Sequence, residues 1–169
     1  MKKLLFVLAV LLVAMSANAQ VTWNVRAGGG VFQTEYYNYH YHYGYYDWER
    51  DNVPCAALAL QVNMPFKRTS RFTFSPTFMA ACSRENRIEF PLYLGYKLPI
   101  GNRSLFFPKI GPMVGYDVRA KSAISGPSME LAFEIEHFIV AANLSLNCVT
   151  REYEVPLHVG AYLTFGYKF

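Results

Sequence analysis

The sequence predicts an all-β protein, an eight-stranded antiparallel up-and-down transmembrane β-barrel, and three observations carry that expectation. Residues 157–169 alternate without a break: Leu157, Val159, Ala161, Leu163, Phe165, Tyr167 and Phe169 fall on one face, His158, Gly160, Tyr162, Thr164, Gly166 and Lys168 on the other. Strand side chains point alternately to opposite faces, so this segment has one wholly apolar side and one mixed side, the pattern of a membrane strand. Seven further segments alternate in the same way, and no Asp, Glu, Lys or Arg stands on any of the eight apolar faces. A Lys or Arg facing lipid near the midplane costs roughly 2–4 kcal/mol, so that absence is what a bilayer selects. Finally, after a short N-terminal leader no apolar run reaches the length of a helical span.

The leader comes first in the chain. Lys2 and Lys3 precede an apolar run, residues 4–15, and Ala17-Asn18-Ala19 supplies the small-x-small pattern of a signal peptidase site. Residues 1–19 are expected to be a cleaved signal peptide and residues 20–169 the barrel domain. No cysteine follows the cleavage site, which argues against a lipid-anchored protein.

The strands then follow in order. Residues 21–32 set Trp23, Val25, Ala27 and Val31 against Asn24, Arg26 and Gly28. Residues 56–64 set Leu58, Leu60, Val62 and Met64 against Ala57, Ala59, Gln61 and Asn63. The third, 71–81, sets Phe72, Phe74 and Phe78 against Thr73, Ser75 and Thr77; the fourth, 87–98, sets Ile88, Phe90, Leu92, Leu94 and Tyr96 against Glu89, Tyr93, Gly95 and Lys97. After a Pro99-Ile100-Gly101-Asn102 turn, residues 105–118 set Phe106, Ile110, Val114 and Tyr116 against Lys109, Gly111, Gly115 and Asp117. Residues 129–136 oppose Leu131, Phe133 and Ile135 to Glu130 and Glu134, and residues 138–146 oppose Val140, Ala142, Leu144 and Leu146 to Asn143 and Ser145. Pro76, Pro91, Pro108 and Pro112 each remove a ladder donor, and bulges are expected at those points.

The polar faces gather Arg26, Glu89, Lys97, Lys109, Asp117, Glu130, Glu134 and Lys168, both signs of charge. Eight strands enclose an interior about wide enough for side chains to fill, so these residues are expected to form an ion-pair network that plugs the barrel. A soluble lipocalin-like barrel alternates too, with its apolar face turned inward, and is the architectural alternative. Trp23, Tyr96, Tyr167 and Phe169, grouped near one rim, and the charge-free faces count against it.

Composition excludes some functions. Without the two leader lysines the chain has 14 Lys+Arg against 12 Asp+Glu, a balance too even for nucleic-acid binding. Three cysteines, Cys55, Cys82 and Cys148, enter an oxidising compartment as an odd number. Alternation turns Cys55 inward and Cys82 outward, so free thiols are favoured over a cross-strand disulfide.

The pattern as a whole resembles the outer membrane protein β-barrel domain family, also called PorT-like. The resemblance rests on Ile88-Glu89-Phe90-Pro91-Leu92-Tyr93-Leu94-Gly95-Tyr96-Lys97-Leu98, on Lys109-Ile110-Gly111-Pro112 followed by Gly115-Tyr116, and on the aromatic terminal strand. It implies an eight-stranded outer-membrane barrel of a Gram-negative bacterium, with short periplasmic turns, longer surface loops and no catalytic motif. It also implies that Phe165, Tyr167 and Phe169 form the C-terminal signal read by the barrel-insertion machinery.

Residues 33–53 form the most distinctive loop. Tyr37, Tyr39, Tyr41, Tyr43 and Tyr45 have strand spacing, and Trp48 follows. They are expected to line one aromatic face of a hairpin turning near Gly44, outside the membrane. Tyrosine gives large contact area at low entropic cost, which suits recognition of an extracellular glycan or protein; a passive aromatic girdle is the simpler reading. His40 and His42 are too few for a metal site, and no cofactor is expected. Ser145, His158 and Glu130 offer a nucleophile, base and orienter for an envelope-lipid hydrolase. The chain lacks the Arg-His-x-Ser run of lipid A deacylases, however, and a polar lumen supplies such residues by default. The resulting expectation is a monomeric, porin-like, non-enzymatic barrel in contact with outer-membrane lipid and lipopolysaccharide.

Overall fold

The computed structural model describes residues 21–40, 45–67, 69–83, 86–118, 121–149 and 157–169; from 35 to 50 only the strand pairing is described. Eight strands run antiparallel: β1 (Thr22–His40), β2 (Tyr45–Pro65), β3 (Phe72–Cys82), β4 (Arg87–Tyr96), β5 (Ser104–Asp117), β6 (Ser122–Ile135), β7 (Phe138–Val149) and β8 (Leu157–Lys168). A two-residue piece, Leu98–Pro99, continues β4 past Lys97 and pairs with Phe106 and Leu105. Each strand pairs with the next, β4 pairs with β5, and β1 pairs with β8 from Asn24↔Lys168 to Phe32↔Gly160. The sheet therefore closes on itself, and within the barrel no strand edge is left open.

Alternation assigns the two faces as the sequence predicts. Leu58, Phe72, Leu94, Ile110, Val114 and Phe165 lie outside, while Arg26, Gln61, Glu89, Tyr93, Lys109 and Glu130 lie inside and are buried. Met64 departs from this. It shares a face with Leu58 and Leu60 yet is only 3% exposed.

The expected bulges are absent among the described residues. Strand pairing lapses for two steps beside each of Pro76, Pro91, Pro108 and Pro112, and beside Pro127 as well, yet the register on either side of each gap is the same. A bulge needs an extra residue in one strand, whereas a proline removes only a donor. These prolines cost hydrogen bonds without shifting the register.

Turns at the end where β1 begins and β8 ends are short. Glu136 and His137 alone join β6 to β7, and Glu136 takes the positive φ of 53° that a two-residue hairpin asks for. Aromatic rings gather at this end: Phe72 meets Tyr96 edge to face at 4.8 Å, and Tyr167 meets Phe169 at 5.0 Å and Phe138 at 6.0 Å. Backbone bonds between Trp23 and Phe169 tie the two terminal strands together.

β1 and β2 continue past residues 32 and 56 into the segment expected to form a hairpin. β1 and β2 stay paired through eight more steps beyond Phe32↔Val53, from Gln33↔Asn52 to His40↔Tyr45. At about 3.4 Å per residue, the ribbon extends roughly 25 Å along the strand direction. The early part of β6, Ser122 to Ser128, also lies outside the expected span, since Ser125 and Pro127 on its outer face give no apolar alternation.

Candidate functional site

The lumen is built around Glu130. β6 delivers this carboxylate fully buried, and it accepts hydrogen bonds from Arg26 Nη2 at 2.8 Å, Asn143 Nδ2 at 2.6 Å, Gln61 Nε2 at 3.2 Å and Lys109 Nζ. Gln61 extends the web, donating to Thr77 Oγ1 at 2.7 Å and accepting from Lys109 Nζ at 2.7 Å and Asn24 Nδ2 at 3.1 Å. Asn143 also reaches the Tyr93 hydroxyl, which bonds Ser128 at 2.9 Å. Seven of the eight strands contribute a side chain. Two cations thus share one carboxylate, and Lys109 additionally lies 4.1 Å from the Phe107 ring centre.

A second cluster lies nearer the ribbon end. Arg87 Nη2 donates to Asp117 Oδ2 at 3.0 Å and to the Gln33 carbonyl at 2.6 Å, with its guanidinium 4.4 Å from the Phe32 ring centre. Glu89 lies 3.8 Å from Arg87 and accepts the Tyr162 hydroxyl at 2.9 Å. Toward the short turns, Lys168 pairs with Glu134 at 2.7 Å. The expected interior ion pairs therefore form, but the sequence reading missed Arg87. Its parity with Glu89 on the same strand was the signal available.

Of the three residues offered for a hydrolase, Glu130 and Ser145 have other partners among the described residues. Glu130 is held by Arg26, Lys109, Gln61 and Asn143, and so is committed elsewhere. Ser145 Oγ accepts from Asn147 Nδ2 at 3.2 Å. Among the described residues no group of three His, Cys, Asp or Glu is placed to hold a metal ion. The cysteines are free, with Cys55 packed beneath the cluster of Phe32 and Tyr162, and Cys82 exposed on the outer face.

The register divides the aromatic tract: Tyr37 and Tyr39 fall in the same alternate rows as Trp48 and Tyr46, whereas Tyr45 falls in the other set with His40, so the expected single face does not include it. Tyr37 pairs with Trp48, Tyr39 with Tyr46, and Tyr45 with His40. Tyr46, which sequence spacing passed over, is therefore the cross-strand partner of Tyr39. Tyr41, Tyr43 and Gly44 lie outside the described residues. Of the terminal aromatics, Phe165, Tyr167 and Phe169 are all exposed on the outer face.

Among solved structures, the chain is similar to Neisserial surface protein A, with a TM-score of 0.56 at 7% identity over 88% of this chain and 95% of that one. It is also similar to the outer membrane protein OprG from Pseudomonas aeruginosa, with a TM-score of 0.50 at 13% identity over 90% and 97% of the two chains. The attachment invasion locus protein Ail of Yersinia pestis aligns more loosely, with a TM-score of 0.48 at 11% identity over 88% and 98%. The first two establish a shared fold, that of the small outer-membrane β-barrels. No protein-family model matches the chain, and no curated protein matches it.

Proposed function

We propose that this chain is a small surface protein of the Gram-negative outer membrane, with a lumen closed by its own side chains and a tyrosine-rich ribbon that acts in recognition. Residues 1–19 serve as the export signal. The observation that carries the reading is the paired extension of β1 and β2 beyond the barrel, bearing Tyr37, Tyr39, Tyr46 and Trp48 at facing positions. Aromatic side chains clustered on an extramembrane ribbon concentrate contact energy in few residues, as recognition surfaces do. A glycan or protein outside the cell is the ligand class. Buried Arg26, Glu130, Lys109 and Tyr93, none above 3% exposed, support a plugged interior rather than a diffusion path. The committed state of Glu130 favours binding over hydrolysis.

Purified barrel should migrate differently on a gel before and after boiling, since a closed ladder resists SDS. Replacing Tyr39, Tyr46 and Trp48 by Ser should preserve that shift while reducing binding to a panel of immobilised surface glycans and proteins at least tenfold. Retained binding by a folded triple variant would assign the ribbon to a passive girdle.

The terminal strand and the Ile88 to Leu98 motif support a place beside the PorT-like barrels, and with it an insertion signal formed by Phe165, Tyr167 and Phe169. Phe169 exchanges backbone hydrogen bonds with Trp23, at 2.8 and 3.4 Å, so it also helps close the barrel seam. Deleting Phe169 should lower outer-membrane levels severalfold, measured by immunoblot of fractionated cells. Phe169→Tyr should not, and equal levels for the deletion and the parent would remove the signal role.

A further inference from the structure

The two ends of the barrel differ in charge. Residues 66–71 and 97–103, which join β2 to β3 and β4 to β5 at the short-turn end, carry Lys67, Arg68, Arg71, Lys97 and Arg103 and no Asp or Glu. The connections at the ribbon end, residues 33–53, 83–86, 118–121 and 150–156, carry seven acids against five cations.

Backbone bonds hold the two basic turns side by side. Ser70 N donates to the Lys67 carbonyl at 2.9 Å and Phe72 N to Ser70 Oγ at 3.1 Å, which shapes the first turn; Lys97 N donates to the Arg71 carbonyl at 2.9 Å, which joins it to the second. Lys97 sends its ammonium back into the lumen, 5.6 Å from the Phe107 ring centre, whereas Lys67, Arg71 and Arg103 are exposed. Arg103 pairs with Glu136; Lys67 and Arg71 have no acidic partner among the described residues. Large apolar side chains stand between these cations. Phe66, Phe72 and Ile100 are each more than half exposed.

We propose that this arc of Lys67, Arg71 and Arg103 with Phe66 and Phe72 binds the head group of an anionic phospholipid in the leaflet that meets the short turns. The proposal rests on the reading above, in which the ribbon faces out of the cell and the turns face the phospholipid leaflet. Three cations beside one acid favour an anion, and the two arginines offer planar forks that match phosphate oxygens. Position selects a lipid. Phe72 meets Tyr96 edge to face where the apolar belt ends, the level at which a bilayer passes from hydrocarbon to head groups, and Arg71 is the next residue beyond it. Rings at that level are covered by lipid without any partner protein, and a lipid of net negative charge meets the cations as well. A soluble anion would leave Phe66, Phe72 and Ile100 unaccounted for.

The test equilibrates full-length folded protein in detergent micelles with equal amounts of phosphatidylglycerol and phosphatidylethanolamine, then transfers it to lipid-free detergent for native mass spectrometry. The parent should retain phosphatidylglycerol at least fivefold over phosphatidylethanolamine. Lys67→Gln, Arg71→Gln and Arg103→Gln together should remove that preference while keeping the heat-dependent gel shift; Lys121→Gln, exposed at the opposite end, should leave it unchanged. If the triple variant does not fold, Arg71→Gln alone should still lower retained phosphatidylglycerol at least twofold. Equal retention of the two lipids by the parent, or an undiminished preference in the folded triple variant, would overturn the proposal. So would a parent that takes lipopolysaccharide in place of phosphatidylglycerol when both are supplied, or one that binds poly-glutamate and shows no lipid preference, which would assign the arc to an acidic protein. Absence of the gel shift in the parent would sink the membrane reading itself, a separately visible failure.

Discussion

Replacing Glu130 with alanine is expected to lower barrel stability by about 3–5 kcal/mol, the usual loss when one partner of a buried ion pair is removed. Arg26 and Lys109 would be left facing each other across the lumen without a counter-charge, and Asn143 and Gln61 would lose their acceptor. The experiment is urea unfolding of the barrel refolded in lipid vesicles. Glu130→Gln should fall between parent and alanine variant, because it retains the shape and part of the hydrogen bonding but not the charge. Glu136→Ala supplies the contrast. Its pair with Arg103 is short, at 2.6 Å, but both side chains are largely exposed, and such pairs contribute about 0–1 kcal/mol. Similar losses at positions 130 and 136 would mean that water reaches the lumen freely and that the web around Glu130 holds nothing together.

Leu92→Arg should be the most damaging change on the outer wall. Leu92 stands midway along β4, 43% exposed on the apolar face, so an arginine there meets hydrocarbon and costs about 2–4 kcal/mol. The variant should fold in low yield in vesicles, read as the fraction of protein showing the unheated gel band. Leu92→Ala, which leaves the position apolar, should fold nearly as well as the parent. If Leu92→Arg matched Leu92→Ala, the face would be turned to water, and the inward-facing, lipocalin-like arrangement would have to be reconsidered.

The wall of the barrel was legible in the chain because lipid imposes a rule on every second residue, and a rule repeated over eight strands is hard to miss. Where the bilayer stops imposing it, legibility fails. Ser122 to Ser128 fell outside the expected strand since its outer positions carry Ser125 and Pro127, and in the ribbon tyrosine spacing indicated a hairpin but not the register that pairs Tyr39 with Tyr46. The inward set was readable as a list but not as a geometry. Parity placed Lys109 and Glu130 in the lumen, yet nothing in the spacing indicates that Arg26, eighty-three residues from Lys109, shares the same carboxylate. Arg87 was passed over at the start of its strand, although its parity with Glu89 puts it inside. The prolines misled in the opposite direction, since a missing donor was taken for a displaced register.

The ribbon has a consequence for how the molecule meets other chains. Barrel closure removes every unpaired strand rim inside the membrane, but above it β1 and β2 pair only with each other, and each again presents a free backbone ladder among the described residues. The two are not equally open to strand addition. β2 carries Asp47, Glu49, Arg50, Asp51 and Pro54 along this stretch, the charges and proline with which proteins discourage an added strand. β1 carries only Glu35 from residue 33 to 40, and at its base Arg87 already occupies the Gln33 carbonyl. An extended peptide that docked by backbone pairing would therefore add along β1, from residue 34 outward, and run antiparallel or parallel to a strand that carries tyrosines at 36, 37 and 39.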